Sequence, residues 1–124
     1  MHRDPRSERI EQASPEELIL MLFEGAVGFG NEARDALAEG DRATAEYKAG
    51  RVRAIVRELD GALNHEAGTI SGHLAAIYDY VLRRLAPEDL DDACLAEVVA
   101  DLEALGETWA TVVARQSAEH VLAS

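Results

Sequence analysis

Ala13-Ser14-Pro15-Glu16-Glu17-Leu18-Ile19-Leu20-Met21-Leu22-Phe23-Glu24-Gly25 opens as a helix start and continues as unbroken apolar chain. Ser14 stands where an N-cap belongs. Pro15 occupies the first helical position, and Glu17 follows the cap by three residues to close a capping box. Leu18 to Phe23 are then apolar without interruption. At about 100° per residue these side chains point all the way round the helix. A surface helix of a globular protein needs only one apolar stripe, so more than one partner must cover this one. Leu18, Leu22 and Phe29 form one face, which is expected to enter the core. Ile19, Phe23 and Ala26 form a second face, expected to be the wall of a docking groove that Ile10 covers in the free protein.

Outward from this stretch, the spacing predicts four helices and no strands. The first runs to about Glu39 and stops at Gly40, a left-handed C-terminal position, with Asp41 capping the second. The second is expected over 42–66, with Gly68 as its stop. Thr69 or Ser71 caps a third that presents Ile70, Leu74, Ile77, Tyr78, Val81, Leu82 and Leu85. Pro87 and the acidic run through Asp92 make the next connection. Asp91 or Asp92 caps a fourth helix carrying Leu95, Val98, Val99, Leu102, Leu105, Trp109, Val112 and Val113. Apolar residues recur at spacings of three and four throughout. Short connections favour antiparallel neighbours, so the fold is expected to be all-α: an antiparallel up-down-up-down four-helix bundle over 14–124. Residues 1–13, where Ile10 is the only large apolar residue after Met1, read as a flexible N-terminal arm. Seven glycines fall inside the predicted helices, each costing about 1 kcal/mol against alanine; close helix packing is the simpler reason for them, a deliberately soft bundle the other.

Composition narrows the function. The chain has 124 residues, 12 Lys and Arg against 24 Asp and Glu, and a formal net charge of −12. That balance opposes nucleic acid and anionic membrane surfaces. The single Cys94 rules out an internal disulfide and a multi-cysteine metal site. No apolar run approaches about 18 residues and no signal peptide opens the chain, so no membrane insertion and a cytoplasmic location are expected. No cofactor or metal is expected. A di-iron bundle needs Glu three residues before His on facing helices, and none of the four His has it. His73 has no nearby Lys, which opposes a phosphotransfer role. Arg115 and His120 resemble the metal-independent ribonuclease motif of small helical toxins, with His120 as general acid/base and Arg115 stabilising the phosphate transition state. A homodimeric adaptor, closing surplus apolar surface over a twofold interface, is a further alternative.

The residues themselves resemble one family. The opening stretch through Ala26 is similar to the start of the first long helix of the flagellar export chaperones (FliS), where Tyr usually stands at the place of Phe23. Ala36-Leu37-Ala38-Glu39-Gly40-Asp41 resembles their first turn. Glu58-Leu59-Asp60-Gly61-Ala62-Leu63-Asn64 resembles the end of their second helix, and Leu74-Ala75-Ala76-Ile77-Tyr78-Asp79-Tyr80-Val81-Leu82-Arg83-Arg84-Leu85 their tyrosine-bearing third. The chain departs from the family pattern in having no tyrosine among residues 1–13, and glycine at Gly28 and Gly30. The resemblance implies a binding protein and not an enzyme. Its partners would be the disordered C-terminal segment of flagellin and a component of the flagellar export gate. It would prevent premature polymerisation and deliver flagellin for export. Long apolar grooves suit such a segment, since they offset the entropy lost on ordering it. The expected binding residues are Ile10, Ile19, Phe23, Ala26, Tyr78 and Tyr80, with Tyr80 off its helix's apolar stripe and Tyr78 within it.

Overall fold

The computed structural model describes residues 14–63 and 69–123. Four helices make up the described residues: α1 (Pro15–Ala38), α2 (Arg42–Gly61), α3 (Thr69–Arg84) and α4 (Asp92–Ala123), with a 3-10 turn, Pro87–Asp89, before α4. The all-α four-helix expectation holds. The expected arm, Ile10 included, lies outside the described residues.

Each start and stop has a local cause. Ser14 Oγ accepts the Glu17 amide at 3.1 Å. At the other end of α1, Gly40 takes φ +77°. Its amide donates to the Leu37 carbonyl, and the Asp41 amide reaches back to Ala36 at 2.8 Å. These two bonds form the Schellman ending that glycine permits. Asp41 then caps α2 through the Thr44 amide and hydroxyl, and Asp91 caps α4 through the Cys94 amide at 2.7 Å.

Two boundaries differ from expectation. α2 ends at Gly61, five residues early. The Leu63 amide bonds the Asp60 carbonyl, which tightens the chain so that Leu63 turns onto the core. α3 already begins at Thr69, so Thr69 and Ser71 both lie within its bounds. α4 is 32 residues long, because no breaker follows Gly106.

Pairing around the bundle is sequential. α1 packs chiefly on α2 and α4, while α3 packs on α2 and more lightly on α4. Antiparallel direction is fixed at both ends of the α1–α4 pair. Trp109 Nε1 donates to the Glu16 carbonyl at 2.8 Å, and Arg34 Nε to Asp92 at 2.9 Å. At 1.5 Å per residue, each span is about 26 Å long, and the two match. α4 continues past Trp109 for about 20 Å more, beyond the start of α1 at Pro15. The connection between α3 and α4 is held by arginines of α2: Arg53 donates to the Leu85 carbonyl, Arg42 to the carbonyls of Pro87 and Leu90. Leu90, read from sequence as part of an acidic connection, is buried beneath them.

The core is made of Val52, Val56 and Leu59 from α2, Tyr78, Val81 and Leu85 around α3, and Leu95, Val98 and Leu102 from α4. α1 contributes Phe23, Ala26, Gly30, Ala33 and Ala36. The small residues let α4 approach closely: a Cβ on Gly30 would stand 2.6 Å from Val99 Cγ2, and one on Gly106 would stand 3.3 Å from Phe23 Cβ. Close packing thus explains two of the helical glycines. Gly28, Gly61 and Gly72 meet nothing within 4 Å.

Charge divides along the same pairing. The adjacent helices α1 and α4 carry eleven Asp and Glu against only Arg34 and Arg115. α2 and α3 carry four acidic residues against seven basic ones, five of the latter on α2. One side of the bundle is strongly acidic and the other is weakly basic.

Candidate functional site

α4 is flanked by two open grooves. The α1–α4 groove is lined by Leu20, Phe23, Val27, Leu102, Gly106 and Ala110, with Glu24, Glu103 and Glu107 along its edges. The α3–α4 groove is lined by Ala76, Ile77, Tyr80, Ala104, Leu105 and Thr108, with Asp101 as its carboxylate. Short side chains on α4 create both: Gly106 and Ala110 leave one flank low, Ala104 the other. A larger hollow at the far end of the bundle contains Arg34, Arg42, Asp91 and Asp92. Their bonds across the α1, α2 and α4 ends account for it as a structural joint.

The structure shifts the buried centre of α1 from the face expected inside to the one expected at the groove, with residues of both faces packed on the core. Phe23 and Ala26, expected at a groove wall, are 3 % and 0 % exposed and belong to the core, while Leu18, expected inside, is 37 % exposed. Leu22 and Phe29 are half-buried, as is Ile19, which packs on the core. The reason is downstream: only the Phe23 face continues through residues small enough, Ala26, Gly30 and Ala33, for a neighbouring helix to cover. Phe23 still forms the floor of the α1–α4 groove. Lys48 and Arg51 each lie 5.4 Å above the Phe29 ring, covering that face with cations.

Tyr78, included among the binding residues, is 3 % exposed and contributes to the core. Burial, with the charge of Asp60, pushes its hydroxyl up to about 12. Tyr80 is 42 % exposed, as its place off the stripe implied, and forms part of the α3–α4 groove. Its hydroxyl donates to Glu97, whose other oxygen accepts Arg84 Nη2 at 2.9 Å. The hydrogen bond to Glu97 raises the Tyr80 pKa, and the same bond holds Glu97 below the usual carboxylate range. This chain of bonds fixes the ring against the groove. Ile10 lies outside the described residues. Missed altogether were the α4 residues, although Ala104, Gly106 and Ala110 between Leu102 and Val112 are the readable sign of a helix with low flanks.

Arg115 is exposed on α4, and the helix runs unbroken past position 120. Residues five apart on a helix stand about 140° from each other. The His120 side chain lies outside the described ones. Among the described residues, no group of three or more His, Cys, Asp or Glu is placed to hold a metal, and no helix is long and apolar enough to cross a membrane.

A family model described as flagellar protein FliS matches residues 2–116. The chain belongs to the FliS family. Three relatives bear the name flagellar secretion chaperone FliS. The Salmonella typhimurium protein is 34 % identical over 112 residues, covering 87 % of this chain and 83 % of its own. The Bacillus subtilis protein is 30 % identical, covering 81 % and 76 %. The Campylobacter jejuni protein is 30 % identical, covering 80 % of each. This chain is therefore a small helical bundle of the FliS family, whose named relatives are flagellar secretion chaperones.

Proposed function

We propose that this chain binds the C-terminal segment of flagellin in the cytoplasm, holds it out of premature polymerisation and delivers it to a component of the flagellar export gate. The observation that carries the reading is the pair of open apolar grooves on the two flanks of α4, in a protein of the secretion chaperone family. A disordered segment that becomes helical on binding needs long apolar surface to offset its ordering, and two parallel grooves offer it twice. Tyr80 and Ile19 remain proposed contacts. Phe23 acts as the groove floor, while Ala26 and Tyr78 support the surface from inside.

Tryptophan plugs test this without disturbing the core. Ala110→Trp fills the α1–α4 groove and Ala104→Trp the α3–α4 groove. A synthetic flagellin C-terminal peptide is titrated calorimetrically, and helix content is followed by circular dichroism. Helix content is expected to rise on mixing, and each plug to weaken binding at least about tenfold, the loss of one buried anchor. Wild-type affinity in both plugged variants, with their folds intact, would overturn the assignment. Light scattering addresses the homodimeric adaptor: a tight dimer indifferent to the peptide would favour it.

A further inference from the structure

We infer that the α1–α4 groove selects a helical partner segment whose apolar stripe is bordered by Lys or Arg. The inference rests on the reading of the grooves as docking surfaces and adds to it the chemistry of one occupant. The two grooves are nearly equal in volume, about 470 and 440 Å³, so size does not distinguish their ligands. Charge does. The α1–α4 groove has an apolar floor and a carboxylate on either side: Glu24 on α1, Glu103 and Glu107 on α4. Glu103 and Glu107 are one turn apart and exposed, so together they present one continuous edge. The helices on both sides belong to the acidic half of the bundle, and among the described residues the groove's lining includes no Lys or Arg. The α3–α4 groove has Asp101 alone, and the nearby Glu97 is already paired with Arg84.

An amphipathic helix lying in the first groove puts its apolar stripe on Leu20 and Val27, beside Gly106 and Ala110. The residues bordering that stripe then meet the carboxylates. Lys or Arg there reaches the acidic edge with its charge while its methylenes stay on apolar surface. Glu or Asp there meets the like charge of Glu103 and Glu107 along the α4 edge, which rejects the wrong partner. A second copy of this chain does not fit the description. Its only strongly basic helix, α2, already commits its apolar stripe, Val52, Val56 and Leu59, to its own core.

Two synthetic amphipathic peptides with the same leucine stripe, one bordered by Lys and one by Glu, test the inference on the full chain. Titrations at about 50 and 500 mM NaCl bracket the screening range of exposed charges. The Lys-bordered peptide is expected to bind about tenfold more tightly than its Glu counterpart at low salt. That ratio should collapse at high salt. The double substitution E103Q/E107Q, at exposed helical positions, is expected to cut the ratio roughly fivefold, the combined worth of two exposed ion pairs. Ala110→Trp should abolish binding of the Lys-bordered peptide. Equal affinity for the two peptides overturns the inference. So does a ratio unmoved by E103Q/E107Q in a folded protein, or failure of the Lys-bordered peptide to bind at all. The flagellin peptide, titrated in parallel, separates the two readings: if it binds while the charge preference is absent, the docking reading stands and this one falls.

Discussion

Gly28 and Gly30 lie two residues apart on α1, nearly opposite each other round the helix, and should respond to alanine in opposite directions. Nothing stands within 4 Å of a Cβ on Gly28, so Gly28→Ala should stabilise the protein by about 1 kcal/mol, the helix-propensity difference. At Gly30 the added carbon meets Val99 Cγ2 at 2.6 Å. Valine in a helix has one strongly preferred rotamer and cannot swing aside. Overpacking of about 1–3 kcal/mol then outweighs the propensity gain, and Gly30→Ala should lower the urea midpoint that Gly28→Ala raises. Tyr78 makes a pH prediction. Its folded pKa, about 12, lies above the unfolded value of about 10. Its contribution is therefore intact below pH 10 and lost as pH rises toward 12. Thermal melts should show that decline in the wild type and a flatter one in Tyr78→Phe. The residue scale is also where sequence reading failed. Six consecutive apolar side chains contain no polar position to orient the stripe, so periodicity alone could not choose between the faces of α1. The deciding sign was smallness: Ala26, Gly30 and Ala33 mark the side that another helix approaches.

At the scale of elements, caps were legible and stops were not. Ser14, Gly40, Asp41 and Asp91 carry their signals in the side chain or in its absence, and each is found in its role. The end of α2 depends on Leu63 finding the core, a tertiary event with no local mark. The arginines of α2 that hold the α3–α4 connection bond to backbone carbonyls, which are the same in every sequence. Two carboxylates at helix starts, the cap Asp41 and the ion-paired Asp92, also contribute to the acid limit of stability. Bonds from Thr44 hold the Asp41 carboxyl below its usual range, and Arg34 does the same for Asp92. Groups with depressed folded pKa values stabilise above about pH 4 and lose that contribution as pH falls through them. Asp41→Asn and Asp92→Asn should each start less stable at neutral pH and lose less on acidification, as followed by urea midpoints at pH 6 and pH 3.

For the whole molecule, the family and the four-helix layout were legible, and the site was legible only in part. Surplus apolar surface was expected on α1, but the open surface lies along α4, between helices that pack tightly in one place and stand apart in another. Such a gap is a property of two neighbours and is written in neither alone. The exposure of Tyr80 was legible because it sits off its own helix's stripe, which one helix suffices to show. The division into acidic and basic sides is likewise invisible until the helices are placed in order. It gives the bundle a lasting electrical polarity, and association through the α1–α4 side should weaken as salt is added, whereas binding in the α3–α4 groove should barely respond. Titrations across a salt series, with each groove plugged in turn, check this.

The overhang of α4 has a consequence for how the protein comes apart. Beyond Trp109, α4 extends past the start of α1 at Pro15, and the projecting end of a helix opens at lower free energy than its packed middle. Unravelling should therefore begin at that end, at little free energy, while the bundle stays shut. Arg115 is exposed there and offers trypsin a foothold. Brief digestion is expected to clip the chain after Arg115 before any arginine of α2 is cut, leaving a trimmed bundle that still melts cooperatively. Mass spectrometry of the first fragment will show whether the rod frays before the barrel opens.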